Sequence, residues 1–153
     1  IHDPKKVLIF ATNMDSEAVK SVMQMGIPDE YTTVLFRENV WQTNKHDNKL
    51  LEFQKELAYV PELVNYNELT DFEAIKIFFK HDSHAKLLEL RERILEIHPD
   101  TFSHAFSLPH CLEFMDKSVD KSVAIARILE MEPDKRIDIV VRATVNYRNY
   151  LKK

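Results

Sequence analysis

Lys121 is the residue whose position most strongly suggests chemistry. It follows an apolar stretch at residues 111–115, which predicts a strand, and it falls in the first turn of a helix predicted to begin near Asp120. The N-terminal end of a helix carries partial positive charge, so a lysine there is unfavourable by about a few tenths of a kcal/mol unless an anion offsets it. The position therefore indicates a phosphate or carboxylate nearby. The alternative is a solvated lysine that simply falls early in a helix.

The histidines raise the question of metal binding. The chain has 7 histidines, and His81 and His84 are the pair with close spacing. A zinc site needs three or four converging ligands, whereas this pair offers two at the start of a helix. A surface turn is the favoured interpretation, and no metal ligand is assigned. His104 and His110 fall in or beside adjacent predicted strands, where polar cross-strand pairs are ordinary.

Cys111 and the aromatic residues have simple structural interpretations. Cys111 is the only cysteine, which excludes an internal disulfide and fits a reducing compartment such as the cytoplasm. Its apolar strand favours a small buried side chain over a nucleophile. Trp41, Phe36 and Tyr31 either line a pocket or cover a sheet, and the second interpretation is favoured. Carboxylates are too numerous for a general acid and base to be chosen among them.

Composition limits the classes of function. The 153 residues are 44% hydrophobic and 30% charged, which is typical of a single globular domain. A net charge of −4 argues against a nucleic-acid partner, and no apolar run is long enough to cross a membrane. The polar first residues predict no signal peptide. Gly26 is the only glycine, so a glycine-rich phosphate loop is excluded.

The pattern of apolar residues predicts an α+β domain with helices on one face of a largely antiparallel sheet. Strands are predicted at residues 6–11, 74–79, 102–106, 110–115 and 137–141, with a hairpin at 31–41. Helices are predicted after a cap at Asp15 or Ser16, at residues 50–57, after a cap at Asp82 or Ser83, and at residues 120–131. Residues 42–48 are predicted to be a loop, and residues 62–69 have no clear pattern.

Residues 107–125 carry a resemblance to a known family. They read Ser-Leu-Pro-His-Cys-Leu-Glu-Phe-Met-Asp-Lys-Ser-Val-Asp-Lys-Ser-Val-Ala-Ile. This resembles the Cof-type phosphatases of the haloacid dehalogenase superfamily, in which a serine and a Leu-Glu-Ile strand precede Gly-Val-Ser-Lys-Gly and a helix. The upstream elements follow the order of that family's cap, so the resemblance covers about residues 6–131. It implies a cap-like fold and places Lys121 on the family's catalytic lysine.

The resemblance also implies chemistry that the chain lacks. Such enzymes combine an aspartate nucleophile, Mg²⁺ and the lysine, because phosphoryl transfer to a carboxylate needs its charge balanced. The nucleophile motif Asp-x-Asp-Gly-Thr is absent, and Asn13, which stands at a superficially similar place, has an amide that cannot attack phosphorus. The metal motif Gly-Asp-x-x-Asn-Asp is replaced by residues 142–147, of which Asn146 alone fits. Ser118 and Ser122 replace the glycines around the lysine.

These observations predict a cap-like α+β domain at residues 1–131, with residues 132–153 as a remnant strand and tail. The predicted function is substrate recognition in a sugar-phosphate phosphatase, catalytically incomplete as the chain stands and with no cofactor of its own. The predicted partner is a phosphorylated small molecule, with no nucleic acid or membrane, and a homo-oligomer is left open. Two alternatives remain: part of an active Mg²⁺-dependent phosphatase whose nucleophile lies outside this chain, or a protein-interaction domain.

Overall fold

The computed structural model describes residues 11–38, 40–48, 61–119 and 130. The helices described over their whole length are α1 (Ser16–Met23) and α2 (His84–Ile97). Their strands are β1 (Thr32–Phe36), β2 (Trp41–Thr43), β3 (Glu62–Leu63), β4 (Lys76–Lys80), β5 (Phe102–Leu108) and β6 (Cys111–Asp116). The chain divides into two compact units, Ile1–Lys117 and Ser118–Lys153, and both helices and all of these strands belong to the first.

The described strands form one six-stranded sheet in the order β3-β2-β1-β4-β6-β5. Four of the pairings are antiparallel: β1 with β2, β1 with β4, β4 with β6, and β5 with β6. The fifth pairing, β2 with β3, is parallel. The fold is therefore α+β with a mixed sheet. The prediction of a largely antiparallel sheet is confirmed for its centre and corrected at the β3 edge.

The core lies between the helices and one face of the sheet. Because side chains alternate along a strand, the register places a common set of residues on this face. They are Leu35, Ile77, Phe79, Leu112 and Phe114, all fully buried. Val19 and Val22 of α1 and Leu87 and Ile94 of α2 pack into the same cluster. Both described helices thus cover one face of the sheet.

Capping side chains fix where the helices begin. Asp15 accepts a hydrogen bond from the backbone N–H of Ala18 at 2.8 Å, so Asp15 rather than Ser16 caps α1. Ser83, rather than Asp82, caps α2 by accepting from Lys86. A cap of this kind contributes about 1 kcal/mol to helix stability. In each case the sequence identified two candidates, and the structure selects one.

The structure differs from the sequence-based predictions at the ends of several strands and loops. The predicted loop at residues 42–48 is wrong at its start, since Gln42 and Thr43 belong to β2. β3 was not predicted, because a strand of two residues has no visible alternation. The predicted elements at residues 6–11, 50–57, 120–131 and 137–141 lie largely or wholly outside the described residues. The domain boundary at residue 131 also lies outside them and stays a prediction.

Candidate functional site

The predicted catalytic residue Lys121 lies outside the described residues, so its role stays a prediction. The strand that leads toward it, β6, ends at Asp116. Lys117 follows and forms an ion pair with Asp100 at 3.0 Å, with side chains 59% and 89% exposed. An exposed pair of this kind adds little stability. The described part of the lysine segment is therefore an ordinary solvated turn.

The face of the sheet opposite the helices combines aromatic rings with charges. The strand register places Phe36, Trp41, Lys76, Phe78 and Glu113 together on this face. We call these five residues the aromatic face. They come from β1, β2, β4 and β6, and all are partly exposed. The sequence favoured a sheet-covering role for Phe36, Trp41 and Tyr31 over a pocket lining. Phe36 and Trp41 lie on this face, whereas Tyr31 is buried in the core and its ring contacts His81.

The aromatic face is organised around the ring of Phe36. That ring meets Trp41 at a centroid distance of 4.7 Å and Phe78 at 6.3 Å, both edge-to-face. The ammonium of Lys76 lies 4.3 Å from the centre of the same ring. Such ring pairs contribute about 0.5–1.5 kcal/mol each beyond their buried area, and a cation over a ring contributes about 0.5–1 kcal/mol at an exposed site. The Phe36 ring therefore fixes the positions of both Trp41 and Lys76.

Lys76 also faces a carboxylate on the next strand. Its Nζ lies 3.6 Å from Oε1 of Glu113, and the two side chains are 28% and 20% exposed. A closed charge-assisted hydrogen bond would be shorter, about 2.7–2.9 Å. Lys76 and Glu113 therefore attract one another as opposite charges but do not form a short hydrogen bond. The face offers apolar rings, an ammonium donor and a carboxylate acceptor side by side.

A more buried ion pair stands on the same side of the sheet, at the other end of β4. Lys80 contacts the carboxylate of Asp47, and their side chains are only 14% and 10% exposed. The Thr32 hydroxyl donates to the same carboxylate at 2.9 Å. Cys111 lies opposite Lys80 in the register and is buried, as predicted. Because Asp47 is bound tightly by two donors, this cluster is structural.

A cavity of about 270 Å³ lies where β1 ends, and its lining is mostly polar. The lining residues are Asn13, Arg37, Glu38, Val40 and Glu73. The Asn13 amide donates to the carboxylate of Glu73, and the Arg37 guanidinium donates to that of Asp71. The backbone N–H of Glu73, followed by the Arg37 side chain, lowers the pKa of Asp71 below its ordinary value. Asn13 has here a structural role as a hydrogen-bond donor.

A second cavity, of about 250 Å³, lies at the opposite end of β1 and includes Gly26, Thr33, Asn44 and Tyr66 in its lining. Its polar groups are already used within the fold. The Asn44 amide receives the N–H of Thr33 and donates to the carbonyl of Tyr31, each at 2.9 Å. Burial raises the pKa of the Tyr66 hydroxyl above its ordinary range. The hydrogen bonds around this cavity connect the surrounding loops, and its lining contains no cluster of charged side chains.

The predicted histidine pair serves local structure. Nδ1 of His81 accepts the backbone N–H of Ser83 at 2.8 Å, and Nδ1 of His84 lies 2.6 Å from the carbonyl oxygen of Pro109. His104 lies opposite Phe114 in the register, so it is not paired across the sheet with His110. Within residues 11–38, 40–48 and 61–119, no three His, Cys, Asp or Glu side chains are placed to hold a metal ion.

Glu30, which precedes β1, contacts His81 and forms an ion pair with Lys86 of α2. Its carboxylate lies 2.6 Å from Nζ of Lys86 and 3.7 Å from Nε2 of His81. The hydrogen bond from Lys86 lowers the pKa of Glu30, and the same bond raises the pKa of Lys86. Because Nδ1 of His81 accepts a backbone N–H, the neutral ring carries its proton on Nε2, toward Glu30. This exposed network joins the start of β1 to α2.

Comparison with known proteins identifies the family. A profile for haloacid dehalogenase-like hydrolases matches residues 1–140. An HMP-PP phosphatase from Cronobacter sakazakii is 25% identical over 125 residues, covering 82% of this chain and 46% of its own. The chain belongs to the haloacid dehalogenase-like hydrolase family. The predicted resemblance to the Cof-type phosphatases of that superfamily is confirmed.

Solved structures agree on the fold. A Thermotoga maritima structure has a TM-score of 0.66 at 19% identity and covers 84% of this chain and 48% of its own. A sugar phosphatase of haloacid dehalogenase subclass IIB has a TM-score of 0.64 at 16% identity, with 83% and 47% covered. The chain therefore spans about half the length of the relatives and structures that it matches. Neither described helix is long and apolar enough to cross a membrane.

Proposed function

We propose that this chain is the substrate-recognition part, or cap, of a haloacid dehalogenase-like phosphatase, and that it is catalytically incomplete on its own. The observation that carries this proposal is the combination of a family match over most of the chain with a length about half that of the relatives. In each relative, the half that this chain does not match has room for the catalytic groups that this sequence lacks. The first unit has its own sheet and core, as an independently folding cap requires.

The partner in this proposal is a phosphorylated small molecule, and its site is the first unit. The names of the relatives and neighbours include both an HMP-PP phosphatase and a sugar phosphatase. The predicted sugar phosphate is therefore one of two substrate classes to be tested. Two parts of the described residues support recognition: the aromatic face and the polar cavity beside Arg37. The cytoplasm remains the predicted location.

The family generally uses Mg²⁺, but the described residues do not offer a site for it. No three metal-ligating side chains converge there, and the carboxylates Glu38 and Glu73 beside the Arg37 cavity do not make up such a set. A Mg²⁺ site also needs carboxylate oxygens in octahedral geometry. We therefore assign neither a metal-dependent step nor a nucleophile to these residues, and Lys121 remains the one predicted catalytic group.

The test is hydrolysis of a generic phosphomonoester, such as p-nitrophenyl phosphate, by the 153-residue chain in the presence of Mg²⁺. We expect no release of p-nitrophenol above the blank without protein, because a lysine alone supplies neither nucleophile nor metal. Lys121→Ala is the matched variant. Turnover by the chain that this substitution abolishes would overturn the proposal of catalytic incompleteness.

The same half-length match favours one alternative, in which the chain is part of an active Mg²⁺-dependent phosphatase whose nucleophile lies outside it. A longer sequence that contains an Asp-x-Asp motif before Ile1 would support this alternative, and hydrolysis by the longer protein would establish it. The predicted protein-interaction role is tested by light scattering over a range of concentrations. A constant monomer mass would contradict self-association.

A further inference from the structure

We propose that β5 is a dimerisation edge, which pairs antiparallel with β5 of a second copy of this chain around a two-fold axis at His104. The described strands of the two copies then form one continuous sheet. This inference goes beyond the proposed function, because substrate recognition by the first unit does not need a second copy. The composition of β5, the position of its bulge and the pattern of α2 carry it.

The two edges of the described sheet differ in how they are protected against pairing. Edge strands pair readily with another chain, and proteins prevent this with very short strands, charged side chains or proline. At one edge, β3 has 2 residues, of which one is Glu62. At the other edge, β5 has 7 residues, and residues 102–108 include no Lys, Arg, Asp, Glu or Pro. β5 is therefore the edge that favours pairing.

The regular part of β5 is centred on His104. A bulge lies between Phe106 and Leu108, so the regular register with β6 extends from Phe102 to Phe106. His104, the middle residue of this segment, is exposed. A two-fold axis there puts Phe102 of each copy opposite Phe106 of the other. Both residues lie on the helix side of the sheet, so the two copies keep their helices on the same side.

α2 lies along β5 and extends the interface beyond the strand. The ring centroid of His84 lies 4.6 Å from that of Phe106, and the ring centroid of His98 lies 5.7 Å from that of Phe102. The middle of α2, at Arg91, is therefore level with the middle of the regular segment of β5. Because neighbouring strands are only about 4.8 Å apart, pairing of β5 brings the two α2 helices side by side in opposite directions.

The sequence of α2 is complementary to itself about that middle point. Leu88, Arg91 and Leu95 share one face of the helix, and the Arg91 guanidinium lies 5.9 Å from the centre of the Phe106 ring, so this face is on the β5 side. A two-fold axis beside Arg91 puts each Arg91 next to Glu92 of the other copy.

The same axis puts Leu88 of each copy next to Leu95 of the other, because these leucines are equally far from the Arg91–Glu92 pair. Both leucines are half-buried in the single chain. Opposite charges therefore meet between apolar contacts, as an isologous interface requires. The aromatic face lies on the side of the sheet away from the helices, so it stays accessible in both copies.

Sedimentation equilibrium of the full chain over a wide range of concentrations measures the dimer dissociation constant. We expect the mass to rise from one chain to two and then to stay constant. His104→Lys puts two like charges on the axis and should weaken the dimer about tenfold or more. Leu63→Lys adds a lysine to the opposite edge, where Leu63 is 55% exposed, and should leave the dissociation constant unchanged.

A charge exchange on α2 tests the second part of the interface. Arg91→Glu leaves two acidic side chains beside one another across the axis, so the dimer should weaken about fivefold or more. Arg91→Glu/Glu92→Arg restores one opposite charge on each side, and the dissociation constant should return to within about twofold of the original value. No recovery in the double variant would contradict the contact between the two α2 helices.

Oxidative cross-linking tests the register of β5. Residues directly opposite one another in an antiparallel pair have Cα atoms about 4.5–5.5 Å apart, and a disulfide needs about 4.4–6.8 Å. His104→Cys should therefore form a disulfide-linked dimer under mild oxidation. Leu63→Cys is the matched control and should stay a single chain.

Several outcomes would overturn the inference. They are a mass of one chain at every concentration, a mass that rises beyond two chains, equal weakening by His104→Lys and Leu63→Lys, or cross-linking through Leu63→Cys alone. If His104→Lys does not fold, cross-linking of His104→Cys decides. A chain that stays monomeric leaves hydrolysis by a longer protein unaffected, so failure of this inference is distinguishable from failure of the proposed function.

Discussion

The hydroxyl oxygen of Tyr66 lies 3.0 Å from the backbone carbonyl oxygen of Thr33, which is 33 positions earlier in the chain. The same hydroxyl lies 2.7 Å from the carbonyl oxygen of Gln42. One buried side chain thus joins the segment after β3 to both β1 and β2. A hydroxyl has a single proton, so the two carbonyl groups share it. This contact stabilises the β2–β3 edge of the sheet, where the pattern of the sequence did not predict β3.

Tyr66→Phe should destabilise the fold by about 1–3 kcal/mol, because it removes a donor from buried carbonyl groups. Urea unfolding followed by Trp41 fluorescence measures the change. Tyr31→Phe is the matched control, since the Tyr31 hydroxyl donates to the Lys86 carbonyl at 3.0 Å at a part-buried place. We expect a smaller loss there, below about 1 kcal/mol. Equal losses would contradict the special role of Tyr66.

The free energy of unfolding should fall in alkaline solution, because the Tyr66 hydroxyl is buried and must stay protonated in the folded chain. Burial raises the pKa of Tyr66 above its ordinary value of 10.0, so the unfolded chain releases this proton at lower pH than the folded chain. The contribution of protonated Tyr66 to the free energy of unfolding is therefore fully present below pH 10. It is lost as the pH rises through the higher pKa of the folded chain. The free energy of unfolding, measured from pH 8 to pH 11, should decline less in Tyr66→Phe than in the unmodified chain. Parallel declines would argue against this assignment.

The Asp71 carboxyl should titrate below its ordinary value of 3.8 in an NMR pH titration. The backbone N–H of Glu73 is the larger cause, followed by the hydrogen bond and charge of Arg37. Arg37→Gln should therefore raise the pKa of Asp71 without restoring the ordinary value, because the N–H of Glu73 still donates at 2.9 Å. Lys76→Met should leave this pKa unchanged. Full restoration by Arg37→Gln would show that the arginine acts alone.

Two isoleucines of α2 give a matched test of the core. Ile94 is fully buried between helix and sheet, whereas Ile97, one turn later, is 48% exposed. Ile94→Ala should destabilise the fold by about 2–5 kcal/mol, because it leaves a cavity in a packed core. Ile97→Ala should cost less than about 1 kcal/mol. Urea unfolding of both variants provides the measurement, and similar losses would mean that the packing of α2 is wrongly assigned.

Sequence patterns predicted the elements whose signals are local. α1 and α2 were found because a capping side chain precedes apolar residues at helical spacing. β1, β4, β5 and β6 were found because each is a short apolar or alternating run. β3 was missed because its two residues become a strand only by pairing with β2. Gln42 and Thr43 look like loop residues, yet they pair with Leu35 and Val34.

The candidate site depends on contacts between distant segments. The hairpin predicted at residues 31–41 is confirmed, and its register brings the rings of Phe36 and Trp41 into contact. Tyr31 points to the opposite face, because side chains alternate along the chain that enters β1. The pairing of Lys76 with Glu113 was not foreseen, since it depends on the register between β4 and β6.

The sequence by itself determined the family, the α+β class, the main helices and strands, and the absence of the nucleophile motif. These follow from local spacing and from a motif of adjacent residues, both of which are visible along the chain. The tertiary structure alone decided the strand order, the parallel β2–β3 edge, the contact of Arg37 with Asp71 and the composition of the aromatic face. The physical reason is that the strand register sets which side chains share a face, and a shift of one residue would turn each of them to the other side.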